Sequence, residues 1–175
     1  LYLYDLKSGE LKRQITEGDW RVLDLHYVNE ENRTVYFTGS NLEDGNPYYH
    51  YLYKINLDGS GLTNLTPKKA HHEITWSDSQ EYFTDTYSTI DTAPVSVIRN
   101  RGGQVVTELE ETDITQLKET GWQAPKQFTV KARDGETNLY GLMYKPTNFD
   151  STKSYPVLNY LYPGPQSGSI RSFGF

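Results

Sequence analysis

"LYLYDLKSGELKRQIT" (residues 1–16) returns about fifty residues later as "YLYKINLDGSGLTNLT" (51–66), and a looser third copy, "PVSVIRNRGGQVVTEL", occupies 94–109. Each copy is two short apolar-aromatic runs around a turn carrying Gly, the pattern of a β-hairpin. After each of the first two copies come two further runs, "VLDLHYV" and "VYFTGS", then "EITWSD" and "YFTDTYS". The repeating unit therefore has four strands. A four-stranded unit at this period predicts β-propeller blades, with the second half of one blade followed by two whole ones. The alternative is a sandwich of ten strands whose hairpins share turn vocabulary.

Composition agrees with a β-rich chain. Fifteen tyrosines among 175 residues, with Thr, Val and Ile, suit half-buried pleated surfaces. The expected strands are 1–6, 11–16, 21–28, 34–40, 48–57, 62–66, 73–77, 81–87, 95–99 and 105–109. Between them stand "KSGE", "NEEN", "EDGNP", "LDGSG", "DSQ" and "RNRGG", all turn-forming. Charge is 17 basic against 23 acidic residues, net −6, with no basic stripe to follow a phosphate backbone, so nucleic acid is not an expected partner. The absence of cysteine excludes disulfides and thiolate metal sites and leaves the redox compartment open. No run is long enough to span a bilayer, and "LYLYDLKSGE" has no leader pattern and reads as mid-strand text from a longer chain.

After Leu109 the text changes. In "EETDITQLKETGWQAP", Thr112 or Asp113 is expected to cap a short helix with Ile114 and Leu117 on one face and Gly121 at its end. Then "KQFTVKARDGETNLYGLMYKP" alternates through Phe128 and Val130, turns at Asp134-Gly135 and returns through Leu139, Leu142 and Tyr144 as a hairpin. Past the polar loop "TNFDSTKS", the continuously apolar "YPVLNYLY" suits a strand buried on both faces. The expected division is blades over 1–109, a helical crossover over 110–124 and a second domain over 125–175.

The stretch "RDGETNLYGLMYKPTNFDSTKSYPVLNYLYPGPQS" resembles the opening of the α/β-hydrolase catalytic domain in the prolyl oligopeptidase family, especially its dipeptidyl peptidase IV branch. In that family the same order of Asp-Gly hairpin, Lys-Pro step, polar loop and Tyr-Pro-rich strand follows a propeller directly. The resemblance implies a mainly β chain: about two and a half blades, then the first strands of an α/β-hydrolase domain. It implies a serine-type peptidase that releases N-terminal dipeptides after Pro or Ala through an acyl-enzyme, and an exported, periplasmic or secreted location. It further implies a peptide substrate, no cofactor or metal, and a homodimeric parent. Tyr162 is the site residue it assigns, as a hydroxyl donor to the oxyanion of the tetrahedral intermediate; the residue-level alternative is one more packed tyrosine. Pro163, Gly164 and Pro165 would set the turn that aims it, with Pro163 where the family more often has Gly or Ala. No Gly-x-Ser-x-Gly elbow occurs, so the Ser, Asp and His of a triad are not in this chain, and the chain is expected to be inactive alone.

Other clusters have plainer readings. Glu30-Glu31 is expected in a solvated turn. His71-His72-Glu73, whose successive side chains point to opposite strand faces, is expected in a loop before an inner strand rather than on one metal. The acidic "EETD" at 110–113 suits a helix start, and Trp20, Trp76 and Trp122 read as packing anchors. A propeller that binds peptides or glycans without reacting with them remains the competing functional class.

Overall fold

The computed structural model describes residues 1–162, 170 and 172–175. Twelve strands and one short helix form four sheets among these residues. Strands β1 (Tyr2–Tyr4) and β2 (Leu11–Gln14) pair antiparallel. Strands β3 (Arg21–Asn29), β4 (Thr34–Ser40), β5 (Tyr51–Asn56) and β6 (Thr63–Asn64) make one four-stranded antiparallel sheet. A second contains β7 (His71–Trp76), β8 (Tyr82–Thr89), β9 (Thr92–Asn100) and β10 (Val105–Glu111). Each meanders in sequence order, so the chain is a half-blade followed by two whole blades, as the repeat predicts.

Each of the three sequence copies turns on a glycine, which lies four residues after its acceptor in the first copy and three after it in the other two. The amides of Gly9, Gly59 and Gly103 donate to the carbonyls of Asp5, Asn56 and Asn100, each at 2.9 Å. All three glycines have φ between 72° and 86°, a conformation costly for residues with a Cβ. The last two also touch the preceding blade. A Cβ on Gly59 would lie 3.2 Å from the carbonyl oxygen of Ile15, and one on Gly103 would lie 2.6 Å from that of Leu65. Ile15 and Leu65 occupy equivalent places in consecutive copies.

Period-2 alternation in the middle blade explains the core. From β4 and β5, Val35, Phe37, Tyr51, Tyr53 and Ile55 face the half-blade and pack with Ile15. Their intervening neighbours Tyr36 and Leu52 face the other way, onto Leu65 and Phe83. All seven residues of β4 are consequently buried. Burying an aromatic or branched side chain of this size contributes about 1.5–3 kcal/mol. The tryptophans do anchor packing: Trp20 stacks on Phe37, Trp76 meets Tyr27, Tyr36 and Phe83, and Trp122 meets Phe175.

Beyond the blades, helix α1 (Thr115–Glu119) leads to a hairpin of β11 (Lys126–Lys131) and β12 (Asn138–Met143). Ile114 is the helix cap and makes no side-chain cap bond. Asp113, one residue earlier, instead accepts hydrogen bonds from the Thr115 amide and hydroxyl, correcting the expected capping position. Gly121, at φ 82°, ends the helix as expected. At the hairpin turn, Asp134 Oδ1 accepts from the amides of Glu136 and Thr137.

The expected strand at "YPVLNYLY" does not form: residues 155–162 are irregular, with Val157 89% and Leu158 97% exposed. The reason is a missing partner. The β11–β12 hairpin pairs only with itself, and no described strand pairs with this segment. A strand that is apolar on both faces needs neighbours on both sides before its amides and side chains are satisfied.

Candidate functional site

The β4–β5 connection, residues 41–50, is where the blades meet the C-terminal part of the chain. Asn46 stands midway along it, its Oδ1 accepting from the Tyr48 amide and its Nδ2 donating to Gln127 Oε1 of β11 at 3.3 Å. Tyr48 packs edge-on against Tyr140 of β12 and stacks on Phe173, ring centres 5.0 Å apart. Phe173 is buried, the Phe175 amide donates to Ser88 Oγ at 3.0 Å, and the Phe175 ring lies against Trp122. A groove of about 440 Å³ opens beside this junction, lined by Tyr49, Asp91, Lys126 and Gln127 among others.

Tyr162 lies on the C-terminal side of this junction and is 60% exposed, at the end of the irregular apolar segment. The start of that segment is held locally: Tyr155 stacks on Phe149, and its hydroxyl accepts from the Asp150 amide. Pro163, Gly164 and Pro165 lie outside the described residues.

The other sequence candidates are dispersed. Glu30 and Glu31 are exposed in the β3–β4 turn. Glu110 and Glu111 end β10 rather than start a helix, so the acidic run is strand edge more than helix cap. His71 and His72 belong to β7 itself, not to a preceding loop: they stand opposite Ser88 and Tyr87 of β8 in the antiparallel register. Their rings occupy different environments. His72 lies between Tyr51 and Tyr87, its Nδ1 2.7 Å from Asp85 Oδ1 and its Nε2 2.8 Å from the Lys68 carbonyl. His71 faces the β4–β5 connection, 4.3 Å from the His50 ring. Among the described residues no group of His, Asp or Glu is placed to hold a metal ion.

Two features escaped the sequence reading. Asp85 bridges His72 and Arg99, whose Nε donates to Asp85 Oδ2 at 2.7 Å, while Arg99 Nη1 donates to the Gly103 carbonyl. Its signal was a carboxylate two residues after Phe83, on the same buried face of a strand. The docking of Phe173 was also missed, although "SFGF" is an aromatic pair in an otherwise small and polar tail.

A half-blade and two four-stranded blades that meander in order make this a mainly β chain with part of a β-propeller, followed by a short helix and a hairpin. The family model described as the dipeptidyl peptidase IV (DPP IV) N-terminal region matches residues 1–94. The chain belongs to that family. It is 28% identical over 161 residues to the probable dipeptidyl-aminopeptidase B of Neosartorya fischeri, covering 89% of this chain and 17% of the relative. With human dipeptidyl peptidase 8 it shares 29% identity over 164 residues, covering 87% and 18%. The crystal structure of Porphyromonas gingivalis dipeptidyl peptidase 4 superposes with a TM-score of 0.69 at 26% identity, over 89% of this chain and 22% of that one. The chain thus spans about a sixth of the length of these curated relatives. Among the described residues no helix is long and apolar enough to cross a membrane.

Proposed function

We propose that this chain is the junction piece of a serine-type dipeptidyl peptidase, in which residues 1–109 close a propeller and 125–175 open the catalytic domain. The observation that carries this reading is the reach of the similarity: relatives named as dipeptidyl peptidases match through the blades and past the crossover, over 89% of the chain. The parent removes dipeptides from peptide N-termini after Pro or Ala by way of an acyl-enzyme, with the nucleophile and its base outside this chain.

Tyr162 has one role in that reaction. When the nucleophile attacks the scissile carbonyl, negative charge gathers on its oxygen, and the Tyr162 hydroxyl donates a hydrogen bond to it. A donor fixed before the charge develops lowers the barrier by about 3–4 kcal/mol. Its position at the end of an apolar segment supports this, since that segment becomes rigid once neighbouring strands cover it.

The test is Tyr162→Phe in the full-length peptidase, assayed on an Xaa-Pro chromogenic anilide. Turnover should fall about 10²–10³-fold with little change in KM or thermal midpoint. Unchanged turnover would remove Tyr162 from the mechanism. The 175-residue chain alone should show no turnover.

A further inference from the structure

The blade end that receives residues 172–175 carries two imidazoles with no catalytic assignment. His50 ends the β4–β5 connection and His71 begins β7; their ring centres are 4.3 Å apart, tilted by 45°. The backbone locks them together, since the His72 amide donates to the His50 carbonyl at 3.1 Å. His71 is 6% exposed and its Nδ1 has no hydrogen-bond partner among the described residues. Residue 174 passes directly over it. A Cβ on Gly174 would lie 2.8 Å from Ser88 Oγ and 3.5 Å from His71 Cδ2, so the backbone there runs in close contact with both side chains. Phe173 on Tyr48 and the Phe175 amide on Ser88 fasten the two sides of that glycine.

We propose that His50 and His71 form a proton-operated latch: with both rings neutral the blade end holds residues 172–175, and protonation of the pair releases them. A charge on either ring would be desolvated beneath the tail and would face a second imidazole at contact distance. The groups around the pair do not cancel this. From β3, Asp24 favours and Arg21 disfavours a proton on His50; from β7, Glu73 favours a proton on His50 while His72 disfavours one on His71. The Tyr48 backbone in the β4–β5 connection favours a proton on His71, while β8 brings the Ser88 hydroxyl and residue 174 its backbone beside the ring.

Burial, with His50 second, pushes His71 down to about 4 from an ordinary 6.5, and burial also lowers His50. A base whose pKa is lowered in the docked form favours docking at a pH above 6.5. That preference is lost as pH falls from 6.5 towards about 4, because the released form takes up the proton first. For His71 alone the docking equilibrium would weaken by up to about thirty-fold between pH 7.5 and 5. The latch shares residues 172–175 with the peptidase reading but does not require it, since it involves only the contact of those residues with the blade end.

The test is amide hydrogen exchange of the 175-residue chain from pH 7.5 to 5, corrected for intrinsic rates and read separately for residues 172–175 and for β8. Tail protection should fall by up to about thirty-fold while β8 is unchanged, and the double variant His50→Phe/His71→Phe, which keeps two rings but no titration, should abolish the pH dependence. A tail equally protected at pH 7.5 and 5, or the same loss in the double variant, would overturn the latch. Should the double variant lose β8 protection, the ring carbon-bound proton resonances of the unaltered chain decide: titration of His71 below about 5 supports the latch, and titration near 6.5 overturns it.

Discussion

His72 and Asp85 face each other across 2.7 Å with neither side chain reaching solvent. Asp85 spends its second oxygen on Arg99, which in turn holds the Gly103 carbonyl, so one carboxylate ties β7, β8, β9 and the following turn. Removing a single partner leaves the others charged or polar without compensation. Asp85→Ala should therefore cost about 3–5 kcal/mol of unfolding free energy, read from urea denaturation. Asp5→Asn, which breaks the exposed Lys12–Asp5 pair, should leave the midpoint unmoved.

Gly103→Ala should be the most damaging of the turn substitutions. It combines positive φ with a Cβ 2.6 Å from the Leu65 carbonyl oxygen, together about 2–4 kcal/mol. Gly135→Ala meets no atom within 4 Å and should cost only the backbone strain, about 1 kcal/mol. Comparing the two by thermal denaturation separates steric from conformational cost.

Several phenols should titrate late. Burial, with Glu43 second, pushes Tyr51 up to about 12, and the same two causes raise Tyr53 further. Burial also raises Tyr27, Tyr36 and Tyr49. These acids stay protonated in the fold while the unfolded chain begins to lose their protons near pH 10. Stability is thus intact below 10 and falls as pH rises from 10 through about 12. Absorbance at about 295 nm should show a delayed phase that merges with the ordinary tyrosines once urea unfolds the chain.

The uncovered segment 155–162 should drive self-association. Val157, Leu158, Tyr160 and Leu161 are 64–97% exposed in one run, a patch that soluble surfaces seldom carry. Leu158→Lys should lower the sedimentation coefficient of the concentrated chain towards that of a monomer without altering far-ultraviolet dichroism.

Local features of the fold were readable in the sequence wherever one face or one turn decided them. The strand Thr34–Ser40 was found to the residue because a Val-Tyr-Phe run between turn signals has a single reading, and the Asp134-Gly135 turn is encoded by its own side chain. Residues 155–162 show the opposite case: their apolar pattern states what they need, and pairing depends on who supplies it. His71 and His72 read as a loop ahead of an inner strand, yet the register with Ser88 and Tyr87 carries that strand back to His71, a long-range pairing that no local pattern shows. At the candidate site, Tyr162 is singled out only by family order, whereas the meeting of Tyr48 with Phe173 joins residues too far apart in sequence for any local pattern to link them.

The contact of Gly59 with Ile15 is repeated by Gly103 with Leu65, one blade further on. Because the same surface meets the same surface at each junction, each blade is carried onto the next by one fixed rotation, a head-to-tail operator that either closes a circle or winds into a spiral. A wider side chain at either of these glycines would therefore act like an error in the angle of a keystone: small at its own joint, but carried into the placement of every blade beyond it.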